Sequence, residues 1–230
     1  MMIDRPSTLA SSAVRLGAVP RWRSLALFLR ARGMLLTAVL VMASCGLLGF
    51  LDDWAARGAM RQALVLQLVP VLVAALIGVS VSSPFGEPER TAACSLPMLR
   101  GVHVGSLLVA GAGLSMWLVS RWTNLAPKVD LEWVVARNII GLTGIAFLAG
   151  RLIDARLSWI APLVSGIVAS SYIFRVRPEE LDKLWNPDWW LWNGQSSNDA
   201  TSWVIALVLG AGGIAWLCLT GPRDATGEET

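Results

Sequence analysis

Six apolar stretches, at 34–51, 62–82, 101–120, 134–150, 157–174 and 202–220, constrain what this chain can fold into more than any other feature. A helix that crosses a bilayer needs about 20 mostly apolar residues, and each stretch reaches or approaches that length. Hydrocarbon offers the backbone no hydrogen bonds, so helices and closed barrels are the structures that span it. Runs such as Leu64 to Val79, with no charge and no alternation, select helices. The expected fold is all-α, a polytopic membrane protein with six transmembrane helices over 34–220.

Composition points the same way. Hydrophobic residues make up 55% of the 230 and charged residues 15%, against about 25% charged in a soluble domain. The spans consume most of the chain and leave no room for a folded soluble domain. Net charge is +3, but the basic residues flank the spans, as topology-setting arginines do, so no nucleic-acid partner is expected. All of them except Lys128 and Lys183 are arginine, which with the abundant alanine suggests a GC-rich bacterial genome. No cleavable signal peptide is expected, because the first apolar run follows some 30 polar and basic residues.

Orientation rests on the first 33 residues, which hold Arg5, Arg15, Arg21, Arg23, Arg30 and Arg32. Such a cluster before the first span predicts a cytoplasmic N-terminus. Trp22, Leu25, Leu27, Phe28 and Leu29 interleave with its arginines, predicting an amphipathic helix in the cytoplasmic interface. Six spans would return the tail, 221–230, to the cytoplasm. Residues 83–100 then form a cytoplasmic loop, and 175–201 an extracytoplasmic, Trp-rich and helical insert.

The loop after the second stretch carries a resemblance. SSPFGEPERTAACSLPMLRGVHVGSLLV, at 82–109, resembles the corresponding loop of ABC-2 type transporter permeases, with an acidic pair, a Gly-Thr, a short apolar segment, then Pro and Arg. The matching positions are Glu87, Glu89, Thr91, Leu96, Pro97 and Arg100, with Arg90 where the family usually has glycine. The resemblance implies an exporter permease working with a separate ATP-binding subunit that holds the ATP and Mg. It also implies a second permease subunit, the same chain or a related one, in the bacterial cytoplasmic membrane. A permease with no ATPase of its own needs a charged, rigid docking element, and this loop would be the coupling loop. The chain itself has no GxxxxGK[ST] motif, and no catalytic or cofactor role is expected of it. The alternative is a non-transporting membrane scaffold or regulatory subunit whose loop binds some other protein.

Further groups invite a reading. Arg151, Asp154 and Arg156 offer a second cytoplasmic contact, with Asp154 spaced to pair with Arg151 one helical turn back. Trp185, Trp189, Trp190 and Trp192 suit an interface anchor or an outer gate over an amphiphilic substrate. His103, the one histidine, lies near the cytoplasmic end of the third stretch, where headgroups or the docking loop are its expected contacts. Gly101, Gly105, Gly141, Gly144, Gly210, Gly212 and Gly213 thin the spans, either for packing within one subunit or for a dimer seam. Cys45, Cys94 and Cys218 fit no zinc or disulfide spacing. Few polar residues line the spans, so a lipid, amphiphile or peptide is a better expected substrate than a sugar or ion.

Overall fold

The computed structural model describes residues 34–55, 59–82, 96–121, 130–175, 189–195 and 197–220. Its α-helices are α1 (Met34–Ala55), α2 (Ala59–Val79), α3 (Leu96–Val119), α4 (Leu131–Leu152), α5 (Ile160–Arg175) and α6 (Ala200–Thr220). A 3-10 turn, Ala155–Leu157, follows α4, and a 3-10 helix, Trp189–Gly194, precedes α6. Every regular element among the described residues is helical, and several of the helices are long and apolar, as a polytopic membrane protein requires. The N-terminal amphipathic helix, residues 83–95 of the coupling loop, the first part of the insert and the tail lie outside the described residues.

The six-span expectation is not upheld. Three described helical segments are long and apolar enough to cross a membrane: Pro97–Val119, Leu131–Leu152 and Ala200–Thr220. The other three fall short of that length among the described residues. The described apolar stretches of α1 and α2 are Leu35–Leu47 and Leu64–Val79. Helix α5 has 16 residues, roughly 24 Å at 1.5 Å per residue, against about 30 Å of hydrocarbon.

The bundle is organised around α4, which is buried along most of its length and packs on α2, α3, α5 and α6. Contacts fix the directions. Gly141 faces Ala206 and Gly144 faces Gly210, so α4 and α6 run parallel; Gly111 meets Val41 as Ser115 meets Cys45, so α1 and α3 do too. Gly166 against Val71 and Ser158 against Gly78 make α5 antiparallel to α2. The last turn of α6 reaches the second turn of α3, where Gly101 approaches the Cys218 sulfur. Met34, the start of α3, the α4–α5 turn and Thr220 therefore share one end, and the Trp189–Gly194 helix occupies the other.

Dipole logic reinforces α4, with Glu132 in its first turn and Arg151 in its last. Its outer neighbours leave apolar faces uncovered, including Val102 and Val109 on α3 and Val204, Leu207 and Val208 on α6. Water would penalise such faces; lipid solvates them. Tryptophans mark both ends. Trp117, Trp133 and Trp203 lie at the insert end and Trp159 and Trp216 at the other, all wholly or partly exposed, as aromatic residues at two membrane interfaces are. Arg121 lies over the Trp117 ring at 4.7 Å, a cation–π contact suited to that boundary.

Candidate functional site

Two turns into α4, Arg137 is fully buried, with 0% of its surface exposed. An uncompensated guanidinium there would cost several kcal/mol, so its surroundings must answer the charge. They do so from the chain between α5 and α6. An Arg137 terminal nitrogen donates to the Gln195 carbonyl at 2.8 Å and reaches the Asn138 side-chain oxygen at 3.5 Å. The Asn138 amide donates to the Asn193 carbonyl at 2.7 Å. Neighbouring residues on one helix thus bind two carbonyls of the same short segment, and both Asn193 and Gln195 are buried.

Asp199 completes the arrangement from the N-terminal boundary of α6. Its carboxylate accepts from the Ser202 backbone N–H at 2.8 Å and from the Ser202 hydroxyl, an N-cap contact that satisfies an orphan donor of the helix. Those Ser202 hydrogen bonds, with the Arg137 charge adding to them, hold the Asp199 carboxyl below its ordinary value. Trp203 donates its indole N–H to the Ser197 carbonyl at 2.8 Å and meets Trp133 edge-on, ring centroids 6.3 Å apart. Trp192 fits against Gly141, where a Cβ would overlap its ring. The segment from Trp192 to Trp203 is fastened to α4 by a charge, an amide and an aromatic wedge.

A second polar group lies at the opposite end. His103 is buried between α2 and α3, with its Nε2 3.3 Å from the Ser80 hydroxyl oxygen. Because that hydroxyl donates to the Ile77 carbonyl at 2.7 Å, its oxygen is the acceptor, which assigns the proton to Nε2. His103 is buried away from headgroups, its face of α3 packing inward on α2, and the docking-loop contact also expected of it falls outside the described residues. Arg100, expected as a pairing charge of the coupling loop, is also buried, within electrostatic reach of Cys218.

The remaining expected site residues are placed as follows. Glu87, Glu89, Arg90, Thr91 and Trp185 lie outside the described residues. Leu96 begins α3, and Pro97 is exposed in its first turn. Arg151 ends α4, half-buried, and Arg156 is exposed. Helix α4 stops before Asp154, whose extended backbone turns its carboxylate to the Arg156 backbone N–H at 2.8 Å. That break removes the helical turn on which pairing with Arg151 was expected. Trp189 and Trp190 sit in the 3-10 helix with Trp192, which is turned into the bundle.

Sequence reading passed over Arg137, Asn138, Gln195 and Asp199. Arg137 and Asn138 side by side in an apolar stretch were the available signal, since an ionisable residue at membrane depth is a functional candidate by default. Among the described residues no cluster of three His, Cys, Asp or Glu side chains could hold a metal ion. Comparison with protein-family models, curated proteins and solved structures finds no match to this chain.

Proposed function

We propose that this chain is the membrane-embedded subunit of an ATP-driven exporter for a lipid-like, amphiphilic or peptide substrate. ATP and Mg are bound by a separate ATP-binding subunit, and a second permease subunit, this chain or a related one, completes the path. The observation that carries the reading is the fully buried Arg137 holding the segment before α6 over the end of a central apolar helix. One charge-assisted bond, one amide bond and a half-buried carboxylate make a latch that a conformational change can open without dismantling the bundle. Pro97, the described one of the permease-like residues, lies in the first turn of α3 at the opposite end, where an ATPase would dock in this reading. The arginines before Met34 put that end in the bacterial cytoplasm by the positive-inside rule, with both termini on that side.

A scaffold or regulatory subunit is the second reading, and one feature favours it. The described hydrogen bonds from Arg137 and Asn138 to the insert go to backbone carbonyls, as a fixed architectural clasp would make them. Purification of the tagged chain from its native membrane in mild detergent separates the two. Recovery of a Walker-motif ATPase, lost when Glu87 and Glu89 are both reversed to Arg, supports the exporter. An intact complex with no ATPase, under conditions that preserve other membrane complexes, supports the scaffold.

A further inference from the structure

The turn that joins α4 to α5 is folded back against the bundle. A Cβ on Gly150 would stand 3.1 Å from the Ser158 Cβ and 3.4 Å from the Ala155 Cα, and one on Gly78 would stand 3.0 Å from the Ser158 hydroxyl oxygen. The turn therefore lies beside the last two turns of α4, a helix long and apolar enough to span, and α5 begins deeper, at Ile160. Leu217 of α6 meets Gly150, Ala155 and Ser158 around one small void. Trp159 and Trp216, next to Ser158 and Leu217 in the chain, thus share a level, and they are 40% and 41% exposed. Tryptophans at one level near helix ends mark a membrane–water interface.

Around that level the turn is apolar and basic at once. Leu152, Ile153 and Leu157 are exposed, a patch that lipid solvates and water penalises. Arg151 is half-buried and Arg156 exposed. They follow Gly150 and Ala155, which touch, so their side chains leave the backbone from neighbouring points.

Other described arginines are answered from within the chain. Arg137 donates to the Gln195 carbonyl, Arg121 lies over Trp117, and Arg61 and Arg100 are engaged as well. The guanidinium groups of Arg151 and Arg156 make no hydrogen bond, ion pair or ring contact with a described residue. Asp154, the carboxylate between them, accepts from the Arg156 backbone N–H at 2.8 Å and caps the 3-10 turn. Two guanidinium groups against one carboxylate leave the turn positive.

Depth and charge together select the partner. A protein docks on groups that stand clear of the headgroups, whereas these lie level with the tryptophans. The anion available there is a lipid phosphate. Arginine suits it, because its planar fork of donors matches phosphate oxygens and its stem can lie along apolar surface while the charge reaches outward. We propose that the α4–α5 turn is a headgroup site for an anionic phospholipid. Arg151 and Arg156 hold the phosphate, and Leu152, Ile153, Leu157 and Trp159 rest among the first acyl carbons. The site needs a bilayer but no ATPase, so it stands or falls apart from the exporter reading.

The test titrates the purified full chain with phosphatidylglycerol or phosphatidylcholine of the same acyl chains and counts bound lipids by native mass spectrometry. Phosphatidylglycerol should bind more tightly. Arg151→Gln with Arg156→Gln should weaken it about fivefold for each arginine removed and leave phosphatidylcholine unchanged. Lysine at both positions should restore most of the preference, and Arg121→Gln, the same charge lost at the insert end, should not reduce it. Thermal melts confirm that the variants fold, and Arg156→Gln alone, at an exposed position, carries the test where the double variant does not. Equal binding of the two lipids, or a preference unmoved by losing both arginines, overturns the proposal. Displacement of the lipid by inorganic phosphate does so too, since the ligand is then a free anion. A nitroxide on Leu157→Cys, in a chain lacking the native cysteines, reads depth in nanodiscs containing phosphatidylglycerol. It should meet oxygen more than a water-soluble nickel complex. The reverse, or a high-yield crosslink from that cysteine to another protein in native membranes, makes the turn an aqueous or protein contact and sinks the lipid site.

Discussion

A single side chain, Arg137, joins three separate pieces of chain, and its energetics can be taken apart residue by residue. Replacing it with Met removes a buried charge-assisted hydrogen bond, each worth about 1.5–3 kcal/mol, and leaves the Gln195 carbonyl without that donor. Asp199 tests the electrostatic part. Asn caps helices as well as Asp does, so Asp199→Asn keeps the Ser202 contact and deletes the charge facing Arg137, whereas Asp199→Ala loses both. The sign follows from the depressed folded-state value: the unfolded carboxyl, near pH 3.9, binds protons more readily than the folded one. This stabilisation is complete above about pH 4 and fades as pH falls through the lower folded value. Thermal midpoints of the purified protein from neutral pH down to pH 3 should therefore drop for the parent and flatten for Asp199→Asn. Asp199→Ala should sit lowest, by about 1 kcal/mol for the missing cap. An unchanged slope in Asp199→Asn would show that the carboxylate makes no contribution to the clasp. Arg137 beside Asn138 in an apolar stretch was legible as a signal, but its partners were not, because Arg137 and Gln195 are far apart in the chain and nothing in their spacing brings the insert over α4.

At the scale of elements, the glycines that thin the spans divide into two kinds. Gly144 abuts the backbone of Leu209 and Gly210, and a Cβ on Gly213 would stand 2.6 Å from the Gly144 carbonyl oxygen. Gly212 and Gly105, equally conspicuous in the sequence, have nothing within 4 Å. Spacing could have sorted them: 141 with 144, and 210 with 213, fall on single helix faces at i,i+3, and 212 turns away. Sequence alone left packing within one subunit and a dimer seam equally open, and the α4–α6 contact assigns four of the glycines to the subunit itself. A methyl group added to a backbone-to-backbone contact cannot be absorbed by a rotamer change. Gly144→Ala and Gly213→Ala should each cost about 2–3 kcal/mol, the upper range for overpacking. Gly212→Ala and Gly105→Ala should be neutral or slightly stabilising, since alanine is the better helix former. Thermal melts in one detergent read the difference; equal losses at Gly144 and Gly212 would dissolve the distinction between seam and surface.

For the molecule as a whole, helix positions were readable from apolar runs because burial in lipid writes itself directly into composition, while the number of crossings was not. Each apolar run became a helix, yet the described apolar stretches of α1 and α2 and the 16 residues of α5 leave three described helices with the length and polarity for a full crossing. A run of apolar residues reports the absence of charge; it does not report where a helix begins, how it tilts, or whether neighbours cover its polar turn. The spans through α3 and α6 make the firmest claim about sidedness. They run in opposite directions, with Ser120 and Asn198 at the insert end and Met98 and Thr220 at the other. Single cysteines at these four positions, in a chain whose Cys45, Cys94 and Cys218 are replaced, should divide when a membrane-impermeant maleimide is applied to sealed cells and to inverted vesicles. Ser120→Cys and Asn198→Cys are expected to react from one side, Met98→Cys and Thr220→Cys from the other, because Met98 and Ser120 bracket one stretch too apolar to leave the bilayer and Asn198 and Thr220 the other. In the proposed orientation the first pair reacts on intact cells. The opposite assignment would keep the crossings and reverse the orientation, moving the loop at 83–95 away from any cytoplasmic ATPase. Reaction of Ser120→Cys and Met98→Cys from the same side would mean that α3 does not cross.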